Sequence, residues 1–201
     1  MNPIVQTKNL CKTFGNYKAV DNISLTINQG DIYGLIGKNG AGKTTFMKMI
    51  ANLSKPTSGT YQIFSNPYED NKISQRRLSA LIENVGSYPT MTAYDNMLLK
   101  GKSLGLAGDK YIYETLDLLG LGNVGKKKIK DFSLGMKQRL GISLALVGNP
   151  DIVVLDEPIN GLDPQGIIDI RNIIAKLNKE SNITFLISSH ILDELGKLAT
   201  N

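Results

Sequence analysis

Gly37-Lys38-Asn39-Gly40-Ala41-Gly42-Lys43-Thr44 is the stretch that decides the fold. It follows Asp31-Ile-Tyr-Gly-Leu-Ile36, an apolar segment that reads as a strand, and it leads into Thr44 to Asn52, which reads as a helix. A glycine loop in that setting holds phosphate because its backbone N–H groups converge on one point. Glycines 37, 40 and 42 let the main chain take left-handed angles and approach an anion closely. The helix that follows aims its positive end at the same place. Lys43 then reaches the β- and γ-phosphates, and the Thr44 hydroxyl is placed to ligate Mg²⁺. Lys38, Asn39 and Ala41 complete the cradle, and Thr45 adds a phosphate contact. A glycine-rich turn with no ligand is the bland alternative. The strand before and the helix after favour a bound nucleotide.

The rest of the composition bounds what can surround that loop. The chain has 201 residues, 41% hydrophobic and 20% charged, enough for one domain with a buried core. No apolar run approaches the roughly 18 residues that span a bilayer. The N-terminus lacks the apolar stretch of a signal peptide, so the expected location is the cytosol. A single cysteine, Cys11, excludes an internal disulfide and any multi-cysteine metal site. A single histidine, His190, excludes a site built on several histidines. The net charge of +5 suits anionic nucleotides, an anionic membrane face or nucleic acid equally well. Lys126-Lys127-Lys128 reads as a solvated loop, without the interleaved aromatics of a base-stacking surface. No nucleic-acid partner is expected.

Strand-like and helix-like segments alternate, the mark of an α/β protein. Ile23, Leu25 and Ile27 alternate with polar residues as a half-exposed strand. Between about residues 66 and 130 the pattern changes. Two amphipathic helices, near Tyr94 to Leu104 and Tyr111 to Leu119, are separated by glycine breaks and read as an insertion into the sheet domain. Met136 to Val147 reads as a further helix. Ile152 to Leu155 and Ile183 to Ile187 are short, wholly apolar strands of the kind buried in a parallel sheet. Pro164 to Leu177 is a helix with proline in its first turn, and Ile191 to Ala199 also reads as helical.

Asp156 and Glu157 follow the strand 152–155 directly. Ligands of open α/β sheets bind at the carboxyl ends of the strands. Asp156 there would bind Mg²⁺ through water, and Glu157 would polarise an attacking water. Phosphoryl transfer needs little beyond such positioning and charge neutralisation.

Taken in order, Gly37 to Thr44, Ser133-Leu134-Gly135-Met136, Asp156-Glu157, Asp163 and His190 resemble the nucleotide-binding domain of an ABC (ATP-binding cassette) transporter. The resemblance covers nearly the whole chain. It implies an α/β phosphate-loop sheet domain, an N-terminal antiparallel β part and a helical subdomain at about residues 84–149, all within one cassette, 1–201. Ser133 to Met136 resembles the family signature, usually Ser-Gly-Gly-Gln, but departs at Leu134 and Met136. Ser133 and Gly135, the groups that would contact a γ-phosphate, are kept. Without the resemblance Ser133 is simply a good helix N-cap.

The resemblance also implies that the signature faces the phosphate loop of a second cassette, identical or related, so that two ATP molecules lie between head-to-tail partners. Asp163, in Asn160-Gly161-Leu162-Asp163, matches the loop that crosses this interface, and His190 matches the switch histidine. Phe14 matches the aromatic that stacks on adenine, with Tyr17 as a nearby alternative. Glu83 stands where the family commonly has glutamine. It is expected to offer oxygen to Mg²⁺ or to the attacking water. Glu83 and the segment Ser87 to Asn96 resemble the bacitracin-resistance and lantibiotic-immunity branch.

The expected function is therefore the ATPase subunit of an exporter of peptide antibiotics or another hydrophobic substrate. It would dock on a separate membrane permease at the inner face of the membrane. Val85, Tyr88, Met91, Tyr94 and Met97 form a stretch suited to a partner helix, with core packing an equal alternative for several of them. A free ABC ATPase acting on ribosomes or DNA is the rival, and a non-hydrolysing regulatory cassette is a third reading. Asn201 follows His190 by eleven residues, and related domains usually continue, so a C-terminal truncation is expected.

Overall fold

The computed structural model describes residues 2–67 and 77–190, together with Gly196. Two four-stranded sheets carry the chain. The first is antiparallel, ordered β2-β1-β4-β5, with β1 at Pro3–Phe14, β2 at Tyr17–Asn28, β4 at Ser58–Ile63 and β5 at Asn66–Pro67. The second is parallel, ordered β3-β8-β7-β6, with β3 at Ile32–Ile36, β6 at Leu78–Leu81, β7 at Ile152–Asp156 and β8 at Thr184–Ser189.

The parallel strands are apolar on both faces because both faces are covered. On one face Ile152, Val154 and Leu186 join helix α1 (Lys43–Ile50) and the antiparallel sheet. Phe46, Met47, Met49 and Ile50 of α1 are buried there against Val5, Leu10, Tyr61 and Ile63. On the other face Val153, Leu155, Phe185 and Ile187 pack with Ile170, Ile174 and Leu177 of α5 (Pro164–Ser181). The alternation along β7 and β8 is the period-2 rule of a strand. It also assigns the next residues: Asp156 and Ser188 continue the α1 face, two positions beyond Val154 and Leu186.

Three helices, α2 (Ala93–Ser103), α3 (Lys110–Leu118) and α4 (Leu134–Leu146), enclose a third core built on Met97, Ile112, Leu116, Ile129, Phe132 and Leu140. A capping box opens α2, in which the Thr92 side chain accepts from the Asp95 N–H and Asp95 returns to the Thr92 N–H. α4 belongs to two cores, because Ile142, Ala145 and Leu146 reach the sheet. Gly141 makes that approach possible. A Cβ there would lie 2.8 Å from Val85 Cγ2 and 2.9 Å from Leu81 Cδ2.

The expected helices and apolar strands fall within a few residues of these bounds, with α5 extending to Ser181. β6 lies inside the stretch from about residue 66 to 130 in which the pattern changes, and ahead of residue 84, where the helical subdomain is expected to start. The helix read over 191–199 lies outside the described residues, apart from Gly196.

Candidate functional site

The four parallel strands deliver the candidate residues side by side. In the spatial order β3, β8, β7, β6, their carboxyl ends lead to Gly37, His190, Glu157 and Glu83. Residues from four distant parts of the sequence meet because the sheet is parallel and its connections return every strand to the same edge.

The loop itself is tight. Gly40 and Gly42 have φ of 82° and 87°. A Cβ on Gly42 would sit 2.0 Å from the Ala19 carbonyl oxygen, so no other residue fits. Over the loop lies a cavity of about 270 Å³, lined by Tyr17, residues Asn39 to Thr45 and Glu157, with Ala19 at its side. Tyr17 Oη donates to the Gly40 carbonyl at 3.0 Å. Phe14 is more than half exposed, with the Lys12 ammonium 5.1 Å from its ring centroid.

Lys43 is folded into the cradle. Its Nζ donates to the Gly37 carbonyl at 2.7 Å and lies 3.3 Å from Glu157 Oε1. The other Glu157 oxygen, Oε2, is 2.8 Å from His190 Nδ1. Glu157 Oε1 is buried, with an ion pair to Lys43 but no hydrogen bond. Such an acceptor beside a phosphate loop suits a water or a nucleotide-bound ligand as its missing partner. Glu157 itself has φ of 49°, a conformation that costs a non-glycine residue on the order of 1 kcal/mol or more and is held only where the surroundings enforce it.

Asp156 is fixed at both oxygens. The Thr44 hydroxyl donates to Oδ2 at 2.7 Å and the Ser188 hydroxyl donates to Oδ1 at 2.5 Å. This set fits a hard divalent cation: a hydroxyl and a carboxylate are oxygen donors already in contact at the mouth of the loop. Among the described residues no group of three His, Cys, Asp or Glu side chains could hold a metal unaided. A cation here would complete its shell from nucleotide phosphates and water.

Glu83 stands at the far end of the row with φ of 64°. Its carboxylate pairs with Lys48 of α1 at 2.6 Å. Glu83 and Asp156 line one cavity of about 310 Å³, which also takes in Leu134, Lys137 and Gln138 of α4. A third cavity, about 440 Å³, runs between β6, α2 and α4, with Val85, Tyr88 and Leu99 in its walls.

Ser133 caps α4, its Oγ accepting from the Met136 N–H at 3.3 Å. Asp163 caps α5, its Oδ1 accepting from the Gly166 N–H at 3.2 Å. The two caps are neighbours. A Cβ on Gly135 would lie 3.5 Å from Leu162 Cδ2, and one on Gly161 2.8 Å from Leu134 Cδ2. Neither Ser133 nor Gly135 lines the cavity over the phosphate loop of its own chain.

Sequence reasoning missed Ser188 and Lys48. A serine ending an apolar strand has one available signal, its place two residues before His190. Lys48 has only its helical offset from Lys43 and Thr44.

Comparison with known proteins places this geometry. Residues 20–160 match the family model described as ABC transporter. The bacitracin transport ATP-binding protein BcrA of Bacillus licheniformis is 47% identical over 199 residues, covering 98% of this chain and 65% of the relative. The lantibiotic transport ATP-binding protein SrtF of Streptococcus pyogenes is 42% identical over 196 residues, covering 98% of this chain and 84% of the relative. Thus the chain spans less than two thirds of the length of BcrA and most of that of SrtF. Among solved structures, the dimeric post-hydrolysis state of the ATP-binding cassette MJ0796 bound to ADP and Pi superposes with a TM-score of 0.86 at 27% identity, covering 95% of this chain and 90% of that one.

Proposed function

The chain belongs to the ABC transporter family, and we propose that it is the ATP-binding and ATP-hydrolysing subunit of an exporter of bacitracin- or lantibiotic-like peptides. The carrying observation is the double tether at the phosphate loop: Thr44 to Asp156, and Lys43 to Glu157 to His190.

In this reading Phe14 stacks on adenine, with Tyr17 beside it at the loop. Residues Gly37 to Thr45 wrap the phosphates through their N–H groups, and Lys43 turns from Glu157 to the β- and γ-phosphates. Thr44 and Asp156 hold Mg²⁺, with Glu83 as a further oxygen donor. The cation supplies charge neutralisation for the phosphoryl group. Glu157 accepts a proton from the attacking water, and its bond to His190 places that histidine next to the γ-phosphate. This division of work suits a reaction that depends on positioning and electrostatics.

Ser133 and Gly135, at the positive end of α4, serve the nucleotide of a second cassette, and Asp163 lies at that junction. The likeness to a dimeric cassette supports the head-to-tail pairing. In this reading a separate permease supplies the membrane path, a partner suggested by the likeness to transport ATP-binding proteins. The cavity walled by Val85, Tyr88 and Leu99 suits an inserted permease helix. In this reading the chain works at the inner face of the membrane.

Phosphate release from the chain co-expressed with its permease tests the proposal. ATP-dependent release should fall on the order of 10³-fold or more in Glu157→Gln, the scale of losing a principal catalytic group. Release at the wild-type rate in that variant, or a chain that never co-purifies with membranes, would count against it.

A further inference from the structure

Ser188 is wholly buried, and its hydroxyl touches both acidic residues of the site. It donates to Asp156 Oδ1 at 2.5 Å and accepts from the Glu157 N–H at 2.9 Å. The parallel pairing of β7 with β8 sets this up by placing Asp156 directly opposite Ser188. The strand alternation then turns both side chains to the α1 face, where Thr44 lies.

We propose that Ser188 is a positioning residue for the two carboxylates, rather than a residue that touches nucleotide. This rests on the ATPase reading above. A hydroxyl has one proton to give and lone pairs to receive, and here both capacities are used on adjacent residues with different duties. The donated bond fixes the rotation of the Asp156 carboxylate. It leaves Oδ2, which now holds the Thr44 hydroxyl, aimed at the mouth of the loop. When the Thr44 oxygen turns to another partner, Ser188 still holds Asp156 in place. The accepted bond engages the N–H of Glu157, whose φ of 49° is unfavourable for a residue with a side chain. That conformation is what sends the Glu157 carboxylate back over the loop to Lys43 and His190.

The two contacts also link the strand of the histidine to the strand of the acids. Without Ser188, Asp156 keeps the Thr44 bond alone, and the Glu157 N–H loses its partner in a half-buried setting. Partners of this kind, one shell out from a metal or a reacting group, are typically worth 10- to 100-fold in metal affinity or activity.

Three variants in the permease-bound full chain test this: Ser188→Ala, Ser188→Thr and Ser188→Cys. ATP binding is read with a fluorescent ATP analogue, with and without Mg²⁺, and turnover as kcat and KM separately. Ser188→Ala should lower kcat on the order of 10- to 100-fold and raise the Mg²⁺ concentration for half-maximal binding enhancement. Affinity without Mg²⁺ should stay as in wild type. Ser188→Thr, which keeps the hydroxyl, should recover most of both. If Ser188→Ala unfolds, Ser188→Cys fills nearly the same volume without a strong donor and should show the same split. Wild-type kcat and Mg²⁺ dependence in Ala or Cys would overturn the inference, as would equal loss of affinity with and without Mg²⁺. A wild-type chain whose ATP binding ignores Mg²⁺ would overturn the site reading itself.

Discussion

Gly42 carries the sharpest single-residue prediction. Its φ of 87° and the Ala19 carbonyl, 2.0 Å from where a Cβ would stand, leave room only for hydrogen. In Gly42→Ala the loop must open, and its N–H groups no longer converge. Nucleotide affinity should fall at least 100-fold on the basis of about 3 kcal/mol of lost charge-assisted bonds, read by equilibrium binding of ATP. Glu83 supports a different expectation. Its pair with Lys48 leaves the glutamate 56% exposed, and such pairs are worth about 0–1 kcal/mol. Glu83→Gln should therefore leave the urea midpoint nearly unchanged while altering ATP turnover in the assembled transporter. Equal turnover at every pH would show that the charge is irrelevant.

The legible part of the site was set by residue type and order. Glycines, a lysine and a hydroxyl between strand and helix have a chemical reason to occur together, and so do acids after an apolar strand. The contacts that tie these groups to one another were not legible. Ser188 reads as a core serine until the β7–β8 register places it opposite Asp156.

At the scale of elements, two strands and one helix cap define what can be measured. Phe185 is fully buried in β8 among Ile32, Val153 and Ile187. Phe185→Ala should cost about 3–5 kcal/mol by urea unfolding, from lost transfer energy and the cavity left behind. The capping box of α2 gives a pH signature. The Thr92 hydroxyl, donating to Asp95 Oδ2 at 2.7 Å, is the main cause that holds the Asp95 carboxyl below its ordinary 3.8, with the Thr92 N–H next. A depressed folded-state value means the stabilisation is complete above 3.8 and fades as pH falls through the lower folded value. Asp95→Asn should therefore be less stable than wild type at neutral pH. The gap should close in acid as wild type loses the same contribution. A gap that stays constant down to strong acid would contradict the cap.

Apolar β7 and β8 were readable because both faces are buried. β1 was not, because its pattern slips. Register shifts between Thr7 and Leu10, and φ of 48° at Asn9, break the alternation that marks a strand.

For the whole molecule, the proposed function makes this chain one half of a composite ATP site. The row of strand ends leads to Gly37, His190, Glu157 and Glu83, while Ser133 and Gly135, at the start of α4, lie outside the cavity over the phosphate loop. The family order of motifs is what suggests a composite site, and it is legible in the sequence alone. The proximity of Leu134 to Gly161 and of Leu162 to Gly135 needed the structure. On this account ATP binding is also the event that closes two cassettes on each other. Sedimentation of Glu157→Gln, which should bind ATP without consuming it, tests this most directly. The mass of a dimer with Mg-ATP, and of a monomer with ADP or without nucleotide, is predicted. A monomer that binds Mg-ATP fully at every protein concentration would contradict the account.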